Sequence, residues 1–310
     1  MRIVFMGTPD FAVATLQRLV EHNFEVVAVV TAPDKPVGRG LKMSASPVRK
    51  YAESRNIPVL QPEKLKNKAF LEELAAFKAD LQVVVAFRML PEAVWAMPPK
   101  GTINLHGSLL PQYRGAAPIN WAVINGEKMT GVTTFFIEKE IDTGKIIFTD
   151  TLEIGENDTA GDLHDKMMWT GADLVVKTVK AIEAGSYPEQ PQDFSGELKA
   201  APKIFKETTE IDWSKDAAAL HNFVRGLSPY PAAWTLLADK QLKIFETRPL
   251  DALPGNLERV QNGGYPLYTD HKKNLVAQTG NGFLSILSLQ LEGKKRMMTE
   301  EFLRGYRFDS

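Results

Sequence analysis

The chain of 310 residues contains no cysteine. Disulfides, thiol nucleophiles and cysteine-ligated metals are therefore excluded. No apolar run reaches the roughly 18 residues that a membrane-spanning helix needs. Residues 1–7 enter a strand-like run at once, without the positive, apolar and small-residue zones of a secretion signal. The expectation is a cytoplasmic protein. Formal net charge is −1, with 37 basic against 38 acidic side chains. No global field points to nucleic acid or membrane, so a charged partner must be met by a local patch. Several signatures are missing as well. Gly7, Thr8, Pro9 and Asp10 follow the first apolar run but do not make G-x-G-x-x-G. There is no G-x-x-x-x-G-K-[ST] phosphate loop and no H-E-x-x-H zinc helix. His22, His106, His164, His221 and His271 are scattered without the spacing of metal ligands. No metal site is expected.

What is present reads as a globular protein, 44% apolar and 24% charged, long enough for two domains. Strand-like runs at 2–6, 25–31, 57–60, 81–87, 102–105, 131–138 and 145–149 alternate with helical patterns. The early runs are apolar on both faces, as in a parallel sheet covered by helices. Thr8 reads as a helix N-cap with Pro9 in the first helical position. A helical pattern over 158–184 closes the region. The predicted architecture is a doubly wound, mostly parallel α/β domain over 1–188. Residues 189–205, broken by Pro191, Gly196 and Pro202, read as a linker. Residues 206–310 carry one helical segment, 215–227, and then short strand-like runs at 233–237, 242–247, 266–268, 275–278 and 283–291. That rhythm predicts a small OB-like β-barrel.

Asn104 and His106 end a predicted central strand and are followed by a turn with Pro111, Gly115 and Pro118. Side chains alternate faces along a strand, so the carboxamide and the imidazole share one face. Such a pair suits a carbonyl reaction, one group holding an oxyanion while the other moves a proton. The plain alternative is a strand-end asparagine beside a satisfied buried histidine. The position favours chemistry, because open α/β sheets bind ligands at the carboxyl ends of their strands. Asp142 reads either as the start of a polar turn or as a carboxylate brought to His106, where it would fix the tautomer and stabilise the charged form. Residues 35–50 hold Lys35, Arg39, Lys42, Arg49 and Lys50 with no acidic residue. They make a solvated loop or a phosphate-contacting arm. The last forty residues hold seven Lys and Arg against four acids, an ordinary surface or a nucleic-acid face.

At these residues the chain resembles the folate-dependent formyltransferase family. The resemblance lies in Asn104-x-His106-x-Ser108-Leu109-Leu110-Pro111, then Tyr113-Arg114-Gly115, Pro118, Thr130-Gly131-Val132-Thr133 and Asp142-x-Gly144. Three further features are similar to the branch acting on methionyl-tRNA. They are Phe5 to Phe11, the loop from Pro33 to Gly40 with Ser46-Pro47-Val48, and a C-terminal domain with Asp212-Trp213 and Gly293-Lys294-Lys295. The resemblance implies a catalytic trio of Asn104, His106 and Asp142. It implies a folate-contacting turn of Ser108, Leu109, Leu110 and Pro111, and a pterin-holding stretch including Phe87, Arg88 and Leu90. Arg88 stands where the family commonly has glycine. Lys35, Arg39 and Lys42 are implied to contact tRNA. The implied reaction carries a formyl group from 10-formyltetrahydrofolate to the α-amino group of methionine on initiator tRNA, without a metal, in a monomer that binds folate and no membrane. Formyl transfer to a small amine, hydrolysis of formyltetrahydrofolate, a non-catalytic RNA-binding role and a nicotinamide dehydrogenase are the competing readings. The absent glycine fingerprint disfavours the dehydrogenase.

Overall fold

A computed structural model describes residues 1–37, 42–262 and 264–308. The chain divides into two compact units. The first comprises Met1–Pro118, Met129–Glu153 and His164–Ala200. The second comprises Ile119–Lys128, Ile154–Leu163 and Ala201–Ser310, of which Gly263, Asp309 and Ser310 lie outside the described residues.

In chain order the elements are β1 (Arg2–Gly7), α1 (Asp10–Glu21), β2 (Glu25–Val30), β3 (Lys35–Val37), β4 (Lys42–Ser44), α2 (Pro47–Ser54) and β5 (Val59–Leu60). Then come α3 (Lys68–Ala76), β6 (Leu81–Val85), α4 (Glu92–Trp95), β7 (Thr102–His106), β8 (Arg114–Gly115) and α5 (Pro118–Ile124). The series ends with β9 (Met129–Phe136), β10 (Ile146–Glu153), α6 (Ala160–Ala184) and β11 (Ala200–Ala201). Seven strands form the main sheet of the first unit, in the order β10-β9-β7-β6-β1-β2-β5. The pairs from β5 to β7 are parallel, and β9 and β10 close one edge antiparallel. This is the mostly parallel α/β sheet that the apolar runs predict. All five residues of β6 are buried, as are residues 3–7 of β1, so both faces are covered. Strand order reverses between β1 and β6, which places the crevice expected of such sheets at the carboxyl ends of β1, β6 and β7.

Local chemistry starts the helices. Asn67 accepts the Ala69 N–H at 2.9 Å and caps α3. Ser46 accepts the Arg49 N–H at 3.0 Å and caps α2, with Pro47 in the first turn. The α1 expectation needs correction. Pro9, extended at φ −80° and ψ 176°, occupies the cap position, and no side chain caps the helix. With Pro9 still extended, helical geometry begins only at Asp10, one residue too late for Thr8 to be the cap.

In the second unit, α7 (Ala217–Leu227) starts at Asp216, whose carboxylate accepts the Ala219 N–H at 2.7 Å. The strands are β12 (Ala233–Leu237), β13 (Lys240–Leu250), β14 (Glu258–Val260), β15 (Leu267–Thr269), β16 (Leu275–Gln278), β17 (Phe283–Leu291) and β18 (Met297–Met298), followed by α8 (Thr299–Gly305). They form an antiparallel sheet in the order β12-β13-β17-β16-β15-β14, with β18 beside β17. Leu220, Val224, Leu242, Ile244, Leu284 and Leu289 are among the residues of its core.

One turn of this sheet presents Lys272 and Lys273. Asp270 organises it by accepting the N–H groups of Lys272, Lys273 and Asn274 at 2.8–2.9 Å. Partial burial raises its pKa, but these bonds outweigh burial and hold the carboxyl well below the usual range. A lowered folded pKa contributes stability above the unfolded value, near 3.9, that disappears as pH falls. Asp270→Ala is expected to lower stability by roughly 1–2 kcal/mol at neutral pH, the size of a lost cap. In chemical denaturation the gap to wild type should narrow as pH drops below about 4. A gap independent of pH would refute the assignment.

Candidate functional site

The site is built around β7. Its burial pattern leaves Asn104 half-buried and His106 buried, on the same face two residues apart. Asn104 lies in register with Val84 of β6 and Phe135 of β9, and His106 with Thr133. Among the described residues the Asn104 carboxamide has no hydrogen-bond partner. His106 is held on both sides. Its Nε2 lies 2.9 Å from the Tyr113 carbonyl oxygen. A carbonyl only accepts, so Nε2 carries the proton and donates. Nδ1 then faces the carboxylate of Asp142, with Oδ2 at 3.8 Å. The same Oδ2 accepts the Gly115 N–H at 3.0 Å. Both side chains are largely sequestered, 7% exposed for His106 and 13% for Asp142.

Backbone strain collects here. Ala86, Tyr113 and Asp142 have φ of +47°, +59° and +56°. A left-handed residue other than glycine costs roughly 1–2 kcal/mol, least for Asp and Asn. Tyr113 is steadied by donating its N–H to the Lys199 carbonyl at 2.6 Å. Asp142 is steadied by Gln192, whose Nε2 donates to the Asp142 carbonyl at 2.9 Å and the Gly144 carbonyl at 2.8 Å. Two such bonds, each worth about 0.5–1.5 kcal/mol net, are of the size needed to offset the strain. Gly144 is required by proximity, since a Cβ there would lie 1.7 Å from the Phe136 carbonyl oxygen.

The implied folate-contacting residues occupy two loops. In the turn after β7, the peptide before Pro111 is cis. Ser108 is fully buried and donates its hydroxyl to the Gln112 carbonyl at 2.6 Å. Thr133 pins the turn, donating to the Ser108 carbonyl at 2.7 Å and accepting the Leu110 N–H at 3.2 Å. Leu110 is buried, while Leu109 and Pro111 are half-buried. Past the end of β6, Leu90 is buried in the core and Phe87 packs against it. Arg88 donates to the carbonyls of Pro62 and, at 2.9 Å, Glu63. Burial pulls its pKa down.

The implied tRNA-contacting residues stand apart from this cluster in sequence. Lys35 is exposed at the start of β3, Lys42 begins β4, and the two strands pair antiparallel. Arg39 falls outside the described residues. A polar clamp joins the flanks of this segment. Arg49 Nη1 reaches Asp34 Oδ2 at 2.5 Å and Gln61 Oε1 at 3.0 Å, and Gln61 Nε2 reaches Asp34 Oδ1 at 2.8 Å. Gln61 and Arg49 hold the Asp34 carboxyl below its usual range. Among the described residues no helix is long and apolar enough to cross a membrane, and no cluster of three His, Cys, Asp or Glu is suited to a metal. The contacts of Tyr113, Gly115 and Gln192 escaped the sequence reading. Tyr113 and Gly115 act through main-chain atoms, and a lone glutamine in an extended segment has no spacing that marks it.

Comparison with known proteins matches residues 1–179 to the family described as formyl transferase. Residues 203–307 match the formyl transferase C-terminal domain. A methionyl-tRNA formyltransferase of Bacteroides thetaiotaomicron is 53% identical over 315 residues, covering 99% of this chain and 96% of that protein. In fold, the chain is similar to a sugar 3N-formyl transferase, WlaRD, crystallised in the presence of dTDP and 5-N-formyl-THF. The TM-score is 0.68 at 20% identity, covering 95% of this chain and 99% of that one. It is also similar to HypX of Aquifex aeolicus in complex with tetrahydrofolic acid, with TM-score 0.66 and 20% identity. That likeness covers all of this chain and 48% of HypX, about half its length.

Gly144→Ala is expected to push the loop bearing Asp142 off its place. Overpacking of this kind costs about 1–3 kcal/mol, read as a lower denaturant midpoint. An unchanged midpoint would mean that the loop yields freely and that the close approach constrains nothing.

Proposed function

This chain belongs to the formyl transferase family, and we propose that it carries a formyl group from 10-formyltetrahydrofolate to the α-amino group of methionine on initiator tRNA. The observation that carries the reading is end-to-end similarity to a methionyl-tRNA formyltransferase at 53% identity. The geometry of Asn104, His106 and Asp142 supports it, because those groups answer the needs of acyl transfer to an amine.

The donor supplies an activated formyl carbon. The acceptor amine must attack as the neutral base, and an unperturbed α-amino pKa of about 7.7–8.0 leaves a useful neutral fraction at working pH. Attack forms a C–N bond and moves the carbonyl electron pair onto the formyl oxygen. The free carboxamide N–H of Asn104 is suited to receive that charge. His106 donates Nε2–H to Tyr113, so its Nδ1 edge is the one left for reacting groups. Protonated, that edge donates to the oxyanion, and Asp142 balances the imidazolium. Asp142 also accepts the proton the amine must lose. The oxyanion pair then re-forms the carbonyl, the bond from the formyl carbon to the folate nitrogen breaks with its electrons going to that nitrogen, and the proton passes there. Binding both substrates in one crevice replaces a bimolecular encounter.

In this reading the donor lies along Ser108, Leu109, Leu110 and Pro111 and along Phe87, Arg88 and Leu90. Residues 86–90 follow the last rung of the β6–β7 ladder, so strand pairing does not consume their main-chain polar groups. The side chains of Ser108 and Arg88 are engaged elsewhere, so these two residues act through their main chain. Lys35, Arg39 and Lys42 contact tRNA phosphates, and residues 206–310 hold the tRNA body electrostatically. Residues 1–188 hold the chemistry, in a cytoplasmic monomer.

Purified protein mixed with methionyl-tRNA and 10-formyltetrahydrofolate should yield N-formylmethionine after hydrolysis of the ester. Product from an amino-sugar nucleotide but none from methionyl-tRNA would overturn the acceptor assignment. His106→Ala and Asp142→Ala should each lower kcat about 10²–10³-fold, the scale of one lost transition-state partner. A near-wild-type rate in either would remove that residue from the mechanism. Arg39→Ala should reduce kcat/KM for methionyl-tRNA most at low salt, where phosphate contacts weigh most. No change at any ionic strength would defeat the loop's role.

A further inference from the structure

Residues 190–199 touch both halves of the site. Gln190 exchanges main-chain hydrogen bonds with Ile146 at 2.8 and 2.9 Å. Gln192 donates to the carbonyls of Asp142 and Gly144. Phe194 stacks with the Arg114 guanidinium, 4.7 Å from the ring centre. The Glu197 carbonyl accepts from Gln112 at 2.9 Å, and the Lys199 carbonyl takes the Tyr113 N–H. The segment therefore contacts the loop whose carbonyl holds His106 and the loop whose carboxylate faces it. Gln192 is the interior member, 9% exposed, and its Oε1 is buried without a partner among the described residues. A buried acceptor without a partner costs stability rather than adding to it. The geometric effect of Gln192 is to tie together two carbonyls of a turn whose first residue is left-handed.

We propose that Gln192 is a positioning residue for formyl transfer, holding the Asp142 turn so that its carboxylate stays against His106 and the Gly115 N–H. The inference rests on the reading that His106 and Asp142 do the chemistry. Releasing the turn lets Asp142 relax toward a right-handed or extended backbone, and its carboxylate swings away from Nδ1. A displacement of about 1 Å in a reacting group is enough to cost on the order of 10²-fold.

The test compares Gln192→Met, which keeps the volume and removes both donors, with wild type, Asp142→Asn and the double variant. The expected kcat for Gln192→Met is about 10–100-fold below wild type, with KM for methionyl-tRNA and for the formyl donor within about twofold. In the Asp142→Asn background the same substitution should cost less than about twofold, because the group it positions is already lost. A near-wild-type kcat, or an equal loss in both backgrounds, would overturn the inference. If Asp142→Asn is itself fully active, the reading of the site fails instead, and the two failures are distinguished. Should Gln192→Met not fold, Gln192→Asn replaces it, with its amide one methylene short and the same outcomes decisive.

Discussion

The site depends on the way His106 is fixed between an acceptor that cannot change and one that can. The Tyr113 carbonyl is a permanent acceptor, so Nε2 must keep its proton whatever the state of the ring. That leaves Nδ1 as the ring nitrogen open to a further partner, on the side where Asp142 stands 3.8 Å away. That gap is longer than a hydrogen bond. It leaves the carboxylate facing the ring edge in a site that is largely closed to water.

The constraint extends outward through main-chain bonds. Tyr113 keeps its carbonyl on the ring by holding a left-handed backbone, and the Lys199 carbonyl steadies its N–H. Asp142 keeps its carboxylate in place through another left-handed backbone, steadied by Gln192. Thr133 of β9 ties down the intervening Ser108–Leu110 turn. The sheet supplies the base for all of this, because β7 lies between β6 and β9 with every residue but Asn104 buried. Strain of a few kcal/mol persists because rigid neighbours determine the conformation.

Much of the scaffold was legible from local rules. The apolar runs of β1 and β6 encode a covered sheet, and period two alone puts Asn104 and His106 on one face. The meeting of Asp142 with His106 was not legible, since it depends on the antiparallel register of β7 with β9 and on a turn at φ +56°. Helix α8 passed unread because seven residues are too few to display a period. β13 runs further at both ends than its apolar centre suggests, because Lys240, Gln241, Arg248 and Pro249 continue the strand without alternating hydrophobicity. The start of α1 turns on one backbone angle, the extended ψ of Pro9, which the residue types at 8–10 do not encode. Gln192 and the peptide groups of Tyr113 and Gly115 carry no pattern in the alphabet of side chains.

That last property has a practical consequence. Any amino acid at position 113 still presents a carbonyl, and any but proline at 115 still presents an amide hydrogen. Conventional scanning by side-chain replacement is therefore blind to two of the atoms that orient the imidazole and the carboxylate. Replacing the 114–115 amide with an ester through semisynthesis would delete the hydrogen that Asp142 receives and leave every side chain untouched.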